Sequence, residues 1–398
     1  MMTVLVILVG VGAALILACV WHVGDKSGAR AKGERLKRMQ DSPSWRKGKN
    51  RFGNALSRVD GSFIEMSGKY FFGGSNHRQP KAPITPKTLE TSDFDPSPES
   101  GLRVTWFGHS SFHVEIEGLN VLVDPVWGER ASPFTFAGPK RFYEPPIALS
   151  DLPQIDVVLI SHDHYDHLDR HTVSQLKSNA LKWFVPLGVG AHLEHWGVPA
   201  THITEFDWWD EQTIDGVRLV AVPARHFSGR SVFFTDQNAT LWAGWALVGH
   251  RRRLFYSGDT ALHPEFKTIG DRLGPFDITL METGAYNQLW CDVHLGPEQA
   301  VIAHQMVRGN VMIPVHWGTF DLALHGWTEP AERVIEAARV MDVPIAVLAP
   351  GEQFDSGAAP VVNRWWPAKP WDQVSDSPAW STSVDAFQQR YRNRRTTP

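Results

Sequence analysis

The sequence predicts an α/β protein in which helices cover the faces of β-sheets. Apolar runs typical of buried strands begin at about residue 102, and several precede the first clear helical pattern. Strand and helix patterns then alternate to about residue 348, as in proteins whose sheets are packed against helices. The predicted strands cover residues 102–107, 112–117, 119–123, 155–160, 217–222, 231–235, 242–248, 253–257, 277–281, 311–315 and 344–348, and the predicted helices cover residues 169–178, 188–195, 297–307 and 328–341.

The composition is that of a globular protein with a sizeable core. The 398 residues are 42% hydrophobic and 21% charged. The formal net charge of −4 provides no overall basic field, so we do not expect a nucleic-acid partner. The two cysteines, Cys19 and Cys291, cannot form a disulfide framework, and the sequence does not determine an oligomeric state.

Residues 1–24 predict a membrane anchor. Residues 3–21 carry no charge and are about long enough to span a bilayer as a helix. No Lys or Arg precedes this stretch, unlike in a cleaved signal peptide, whereas basic residues follow it. By the positive-inside bias, the rest of the chain would be cytoplasmic. The alternative is an exported lipoprotein modified at Cys19, because the preceding Ile-Leu-Ala loosely fits a lipidation site.

The remaining chain divides into three parts. Residues 25–100 predict a basic juxtamembrane segment, helical to about residue 41, then a mixed stretch at residues 42–76 and a linker rich in Pro, Thr and Ser at residues 77–100. Residues 101–355 contain the predicted strands and helices and would form the catalytic domain. Residues 356–398 predict an irregular tail that ends in several arginines.

The segment SHDHYDHLD at residues 161–169 carries the strongest functional signal. His162 and His164, two positions apart at a strand end, would project to the same side, and Asp166 and His167 follow after a turn. Imidazole and carboxylate groups are ligands of zinc and similar divalent ions, so one segment could serve two adjacent metals. The alternative is a polar turn in which Asp166 caps a helix, but a cap needs one polar residue and not three histidines.

Three further candidate ligands follow predicted strands. His226, Asp259 and His316 each come after an apolar run, at the strand ends where sheets present functional loops. Either histidine taken alone would more often be an ordinary histidine than a ligand. The carboxylate of Asp259 has two oxygens and could bridge two ions while compensating their charge.

The order HxHxDH, His, SGDT, His resembles the metallo-β-lactamase fold superfamily. The sequences WFGHSSFHVEIEGLNVLVDPVWGERASP, SHDHYDHLD, PARHFSGR, YSGDTA and IPVHWGTF are similar to the branch that contains N-acylphosphatidylethanolamine-hydrolysing phospholipase D and its bacterial relatives. The resemblance covers roughly residues 100–355. It implies a four-layer αββα sandwich with a dinuclear zinc site along one edge of the two sheets.

The resemblance also implies roles for individual residues. One zinc ion would be held by His162, His164 and His226, the other by Asp166, His167 and His316, and Asp259 would be shared.

Further residues have less specific support. Tyr165 and His294 match positions that contact substrate in the family; a packed aromatic and a helix-cap histidine are the alternatives. Asp166 would orient or deprotonate the attacking water, and His294 could donate to a phosphoryl oxygen or to the leaving group. Asp124 and His109 are candidates for holding the ligands, with a turn carboxylate and a core histidine as alternatives.

The resulting functional prediction is a membrane-anchored, zinc-dependent phosphodiesterase. By resemblance, it would cleave N-acylphosphatidylethanolamine-type phospholipids of the membrane to phosphatidic acid and N-acylethanolamine. Two alternatives remain open: another hydrolase of this fold with a soluble substrate, such as a sugar-phosphate lactonase, and a non-catalytic membrane scaffold.

Overall fold

The computed structural model describes residues 23–59, 61, 63–178, 181–371 and 378–395. The strands are β1 (Trp45–Arg46), β2 (Arg51–Phe52), β3 (Leu102–Gly108), β4 (Ser111–Ile116), β5 (Leu119–Val123), β6 (Val157–Leu159), β7 (Lys182–Pro186), β8 (Ile203–Phe206), β9 (Glu211–Ile214), β10 (Val217–Val222), β11 (Gly244–Val248), β12 (Arg253–Tyr256), β13 (Phe276–Glu282), β14 (Gly309–Val315) and β15 (Gln353–Asp355). The α-helices with described bounds are α1 (Gly33–Asp41), α2 (Phe63–Phe72), α3 (Arg170–Leu176), α4 (Gly190–His195), α5 (Glu265–Leu273), α6 (Pro297–Met306), α7 (Glu329–Met341) and α8 (Asp385–Arg395).

Two large sheets form the centre of the fold. The first has seven strands in the order β15-β3-β4-β5-β6-β7-β8, and the second has six in the order β14-β13-β12-β11-β10-β9. Strands β5 to β8 pair in parallel, as do β12 to β14, while the remaining neighbours in the two sheets are antiparallel. A separate hairpin consists of β1 and β2.

The first sheet separates two apolar layers, and successive side chains along its strands point into one layer and then the other. In β6, Val157 and Leu159 belong to the core that also contains strands of the second sheet, whereas Val158 packs in a cluster with Val173 of α3 and Leu193 of α4. Helices α5, α6 and α7 contribute to the core on the second sheet. The layers are therefore helix, sheet, sheet and helix, which confirms the predicted α/β metallo-β-lactamase sandwich.

The strand directions bring several chain segments to one edge. Strands β10, β12, β13 and β14 of the second sheet all run in the same direction, and β5 and β6 are parallel neighbours in the first. The carboxyl ends of parallel strands meet at the same edge of a sheet. Asp124, His162, His226, Asp259 and His316 all follow such strand ends.

The N-terminal segment folds onto the sandwich. Helix α1 is joined to it through Arg35, whose guanidinium donates to Glu194 at 2.9 and 3.0 Å and to Glu205 at 2.8 Å. The pKa of Arg35 is raised by these partners. The predicted basic segment thus contains helix α1, and the mixed stretch at residues 42–76 contains the β1–β2 hairpin and helix α2.

The predicted membrane anchor is not supported. No helix in the described part of the chain is both long and apolar enough to cross a bilayer. The longest helix with described bounds, α7, has 13 residues, whereas crossing a bilayer takes about 20. Most of the predicted anchor falls on residues 1–22, which lie outside the described residues. The alternative lipidation site at Cys19 lies in the same stretch. The predicted membrane-anchored localisation is corrected accordingly.

Two predicted strands are absent at their predicted positions. Residues 231–235 form turns, because Asp236 accepts the backbone N–H groups of Arg230 and Ser231 and leaves Phe233 84% exposed. Residues 344–348 form isolated bridges through Ile345 and Val347 instead of a continuous strand. The predicted irregular tail includes helix α8.

Val114→Ala tests the packing between the two sheets. Val114 is fully buried in the shared core, so the substitution should lower the free energy of unfolding by about 1.5–3 kcal/mol. The same substitution at Val361, which is 65% exposed, should change it by less than about 0.5 kcal/mol. Urea unfolding followed by tryptophan fluorescence measures both, and equal losses would contradict this arrangement of the core.

Candidate metal centre

The structure brings all seven predicted metal ligands to one edge of the sandwich. His162, His167, His226, Asp259 and His316 are buried, and His164 and Asp166 are half-buried. Together with neighbouring side chains they form three overlapping groups, and within each group the ligand atoms lie within 4.8 Å of one another: His162, His164, His226 and Asp259; His109, Asp166, His167 and His316; and Asp259, Glu282, His294 and His316.

The first group consists of three imidazoles and one carboxylate. Nδ1 of His164 lies 2.8 Å from Nε2 of His162 and 3.3 Å from Nε2 of His226. Oδ2 of Asp259 lies 3.8 Å from both of these Nε2 atoms. Two nitrogens bound tetrahedrally to one zinc ion at about 2.05 Å would lie roughly 3.3 Å apart, so the three imidazoles are spaced as ligands of a single ion.

Hydrogen bonds on the far side of these rings fix which nitrogen faces the centre. Ser161 Oγ donates to a carboxylate and therefore accepts the Nδ1–H of His162 at 2.9 Å. The Nδ1–H of His226 donates to the carbonyl oxygen of Val293 at 2.7 Å. Both Nε2 atoms consequently keep a lone pair for a metal, as partners behind metal-binding histidines usually ensure.

The second group surrounds the carboxylate of Asp166. Its Oδ2 lies 2.9 Å from Nε2 of His109, 3.4 Å from Nε2 of His316 and 3.5 Å from Nε2 of His167. Asp259 joins the two groups, since its Oδ1 lies 3.2 Å from Nε2 of His167 and its Oδ2 lies 3.0 Å from Nε2 of His316. Asp259 therefore lies between the two groups, where one carboxylate could contact an ion in each of them.

Glycine allows Asp259 to reach this position. Gly258 adopts a φ of 58°, and a Cβ at this residue would lie 2.7 Å from the carbonyl oxygen of Ala243. A larger residue would be strained in this conformation and would collide with the backbone of the neighbouring segment.

Buried atoms without hydrogen-bond partners support a cation between the groups. Nε2 of His167, Nε2 of His316 and Oδ1 of Asp259 are all inaccessible to solvent and, although they lie close to one another, none of them makes a hydrogen bond of suitable geometry. Leaving such atoms unsatisfied costs about 1–3 kcal/mol each. Nitrogen and carboxylate oxygen are the donors that zinc prefers, so this set of residues fits divalent ions.

The pKa shifts of the candidate histidine ligands indicate a site that is stabilised by positive charge. Burial and neighbouring imidazoles hold the pKa of His162 well below its usual value, which favours the neutral, metal-binding form. Burial opposes protonation of His316 as well, but Asp259 and Asp166 outweigh it and raise the pKa of His316 to about 10. A proton on His316 thus compensates the carboxylates of Asp259 and Asp166, and bound cations would replace it.

Asp124 lies behind both groups and is fully buried. Its Oδ1 accepts the backbone N–H of Ser161 at 2.7 Å. Its Oδ2 accepts the Ser161 hydroxyl at 2.6 Å, the Tyr256 hydroxyl at 2.6 Å and the Nδ1–H of His167 at 2.8 Å. Asp124 therefore orients His167 and joins β12 of one sheet to the end of β6 in the other.

His109 lies in the tight turn between β3 and β4 and is buried. It adopts a φ of 53°, and its carbonyl oxygen accepts the N–H of His316, which has a φ of 64°. Left-handed backbone at non-glycine residues is uncommon and often occurs at functional sites. The backbones of the two residues are joined by this hydrogen bond, and Nε2–H of the His109 ring donates to Oδ2 of Asp166 at 2.9 Å.

Comparison with known proteins agrees with this geometry. Residues 119–317 match the model of the β-lactamase superfamily domain. An uncharacterised protein of Mycobacterium tuberculosis is 47% identical over 288 residues, which make up 71% of this chain and 77% of that protein. The N-acyl-phosphatidylethanolamine-hydrolysing phospholipase D 1 of Caenorhabditis elegans is 39% identical over 251 residues, or 60% of this chain and 70% of that protein. The chain belongs to the β-lactamase superfamily.

A solved structure supports the fold. The isothiocyanate hydrolase from Delia radicum gut bacteria superimposes with a TM-score of 0.52 at 20% identity, over 63% of this chain and 98% of that one. The family match and the relatives confirm the family resemblance predicted from the sequence. By family, fold and candidate ligand groups, the chain is a metal-dependent hydrolase.

In this β-lactamase superfamily hydrolase, Tyr165 is held by the loop after β10. Its hydroxyl donates to the carbonyl oxygen of Arg230 at 2.8 Å, and its ring lies under the Arg230 guanidinium, 4.0 Å from the ring centre. Ser27 Oγ approaches the same hydroxyl at 3.5 Å. The predicted substrate contact of Tyr165 stays a prediction, with its hydroxyl proton already engaged.

His294 lies beside the metal groups, with 15% of its side chain exposed. Its ring centre is 5.1 Å from that of His226 and 5.4 Å from that of His316. Its Nδ1 is hydrogen-bonded to Glu282, a fully buried residue at the end of β13. The sequence analysis did not predict Glu282 as a site residue, although it follows a predicted strand in the same way as the candidate ligands do.

Asn54 is a second residue that the sequence analysis missed. Its side-chain amide donates to the carbonyl oxygen of His226 at 2.7 Å and accepts the N–H of His226 at 3.1 Å. The adjoining segment is held by Arg225, which donates to the carbonyl oxygen of Ser57 at 2.6 Å. Asn54 lies outside the family match, in the mixed stretch before the predicted linker, where no sequence pattern marks it.

Asn54→Ala tests whether this clamp positions His226. The variant loses both hydrogen bonds to the His226 backbone and should bind zinc about 10-fold more weakly, because partners of metal ligands typically contribute 10–100-fold. Zinc titration of metal-free protein against a competing chelator provides the measurement. Asn363→Ala, which removes a hydrogen bond to Glu352 at 2.7 Å, is the matched control and should leave zinc affinity unchanged. Identical affinities for the two variants would contradict the positioning role.

Proposed function

We propose that this protein is a zinc-dependent phosphodiesterase of the phospholipase D type. The proposed substrates are N-acylphosphatidylethanolamine-type phospholipids, and the proposed products are phosphatidic acid and N-acylethanolamine. The observation that carries the proposal is the placement of Asp259 between two ligand groups, one of three imidazoles and one built around Asp166. The similarity to the Caenorhabditis elegans phospholipase D supports the substrate class.

Seven residues would hold two zinc ions in this proposal. The first ion would be bound by His162, His164 and His226, the second by Asp166, His167 and His316, and Asp259 would contact both. Bound zinc supplies positive charge for phosphoryl oxygens and makes water more acidic.

The chain's own residues would direct the hydrolysis. Asp166, oriented by its contact with His109 Nε2 at 2.9 Å, accepts a proton from the attacking water. The water oxygen forms a bond to phosphorus while the opposite phosphorus–oxygen ester bond breaks in line. His294 faces the same site and donates a proton to the departing oxygen, so the alcohol leaves neutral.

The surroundings of His164 suit an amphiphilic phosphodiester. The Phe227 ring lies 4.5 Å from the His164 ring, and the guanidinium of Arg58 lies 5.3 Å from the centre of the Phe227 ring. An apolar surface and a cation therefore border the half-buried side of the centre. We infer that they would contact the apolar and phosphate portions of a lipid.

A substrate panel tests the proposal. Zinc-loaded protein should hydrolyse N-acylphosphatidylethanolamine in mixed micelles, and product analysis by mass spectrometry should show phosphatidic acid and N-acylethanolamine. His164→Ala and Asp259→Ala should each lower kcat/KM by at least about 10³-fold, because each removes a group needed for transition-state charge stabilisation.

Matched variants and substrates make the result decisive. His250→Ala and Asp271→Ala change exposed residues away from the centre and should retain wild-type rates. A sugar-phosphate lactone and phosphatidylcholine complete the panel. Lactone turnover without turnover of any phosphodiester would contradict the proposed reaction, and full activity of the His164 and Asp259 variants would contradict the metal mechanism.

A further inference from the structure

The loop between β10 and β11 carries three consecutive exposed apolar side chains at its tip. Val232 is 38% exposed, Phe233 84% and Phe234 70%. A single exposed apolar side chain is common, but a run of three lowers solubility and usually serves an interaction. These three residues, called the loop tip below, therefore favour a partner that covers them.

Hydrogen bonds hold the loop tip in one conformation. The carboxylate of Asp236 accepts the N–H of Arg230 at 3.0 Å and that of Ser231 at 2.9 and 3.0 Å. The carbonyl oxygen of Ser231 accepts the N–H of Phe234 at 2.9 Å, and its hydroxyl oxygen accepts the hydroxyl of Thr235 at 2.9 Å. Phe234 has a φ of 56°, which is rare for a bulky residue and occurs mainly where function maintains it. The loop thus presents its phenylalanines in a built turn.

The same loop borders the metal centre. It begins with the candidate ligand His226, and the N–H of Gly229 donates to Asp163 in the ligand-rich segment at 2.8 Å. The carbonyl oxygen of Arg230 accepts the hydroxyl of Tyr165 from that segment at 2.8 Å. A partner that covers the loop tip would therefore lie close to the centre.

Basic residues flank the loop on two sides. Nη2 of Arg30 donates to the carbonyl oxygen of Thr235 at 2.9 Å, and the N–H of Phe52 donates to the carbonyl oxygen of Asn238 at 2.9 Å. The two segments that make these contacts, residues 30–32 and 47–52, contain no acidic residue, although the whole chain has a net charge of −4. They carry five exposed cations, and none of these forms an ion pair with a described residue: Arg30, Lys32, Lys47, Lys49 and Arg51.

An anionic lipid surface fits this combination of charge and apolar area. Phenylalanine rings enter the apolar layer beneath the headgroups, while Arg and Lys side chains remain with the anionic headgroups. A soluble acidic ligand would match the cations but leave the apolar side chains in water. A second copy of the chain, docked by the same surface, would bring like charges together.

We propose that Phe233 and Phe234 insert into an anionic lipid surface and so bring the metal centre to a phosphodiester held in that surface. The identity of this phosphodiester rests on the proposed function. The loop tip and the basic segments supply a contact with the lipid layer and take no part in the chemistry. The contact lies on the side of the centre that Tyr165 and His226 border.

Fluorescence quenching at the loop tip tests the insertion directly. A bimane label is attached to Phe233→Cys in the 398-residue chain that also carries Cys19→Ser, so that the buried Cys291 is the only other cysteine. Nitroxide-labelled lipid in vesicles of phosphatidylcholine and phosphatidylglycerol should quench this label. The same label at Val361→Cys, an exposed position outside the loop, is the control and should remain bright. No quenching at residue 233, or equal quenching at both positions, would overturn the inference.

Kinetics separate the lipid contact from the chemistry. Phe233→Ser and Phe234→Asn should each raise the lipid concentration for half-maximal hydrolysis of vesicle-borne N-acylphosphatidylethanolamine at least about 10-fold, as expected for burying one phenylalanine ring. Asparagine tolerates the left-handed backbone at residue 234. Both variants should retain wild-type kcat/KM on soluble bis(4-nitrophenyl) phosphate, and Val361→Ser should behave as wild type on both substrates. Equal losses of the tip variants on the two substrates would contradict the inference.

Arg30→Gln tests the basic flank. It should weaken hydrolysis on vesicles that contain phosphatidylglycerol and leave it unchanged on vesicles of phosphatidylcholine alone, because the contribution of Arg30 is electrostatic. Arg30→Lys keeps the charge and should restore the wild-type rate. Equal losses on both kinds of vesicle would show that Arg30 acts only by holding Thr235 and would contradict the charge contribution.

The proposed function and this inference fail differently. If the tip label is quenched and the wild-type protein hydrolyses no phosphodiester, the proposed function fails and the lipid contact stands. If the wild-type protein hydrolyses the vesicle substrate and the tip label is not quenched, the proposed function stands and the insertion is contradicted. A dimer in light scattering that the tip variants dissociate, with vesicle hydrolysis unchanged, would assign the loop tip to a second copy and contradict the insertion.

Discussion

The rest of the centre depends on the hydrogen bonds that the carboxylate of Asp124 accepts. It gathers four hydrogen bonds without access to solvent, from the backbone and hydroxyl of Ser161, from Tyr256 and from His167. Tyr256 lies in β12 of the second sheet and Ser161 follows β6 of the first, so one group links the two sheets and orients a candidate ligand. The accumulated hydrogen bonds offset the cost of burying the charge, and loss of any one partner would be felt across the site.

The centre is also larger than the domain that the family match defines. The match covers residues 119–317, yet His109 contacts Asp166 from a preceding turn and Asn54 clamps the backbone of His226. In the N-terminal segment, the carbonyl oxygen of Lys26 accepts a hydrogen bond from Arg230. The guanidinium of Arg230 in turn packs on the ring of Tyr165. These segments add hydrogen bonds that rigidify the candidate ligands, which is how supporting residues tune metal sites.

The sequence predicted what local chemistry encodes. The ligand-rich segment, the strand-end positions of His226, Asp259 and His316, and the positions of strands β3 to β6 and β10 to β14 followed from apolar runs and donor types. The strand predicted at residues 231–235 was wrong because Asp236 accepts hydrogen bonds from the local backbone and stabilises a turn. Asn54 and the pairing of Glu282 with His294 were not predictable, since both depend on contacts between segments far apart in the sequence. The anchor prediction rested on the length of an uncharged apolar run and the basic residues after it, and no helix in the described residues supports it.

Diffraction from crystals of the zinc-loaded protein at the zinc absorption edge tests the central claim most directly. The account predicts two anomalous peaks per chain, one among His162, His164 and His226 and one among Asp166, His167 and His316, with Asp259 in contact with both. A single peak, or a peak between Glu282 and His294, would contradict a dinuclear centre built around Asp259.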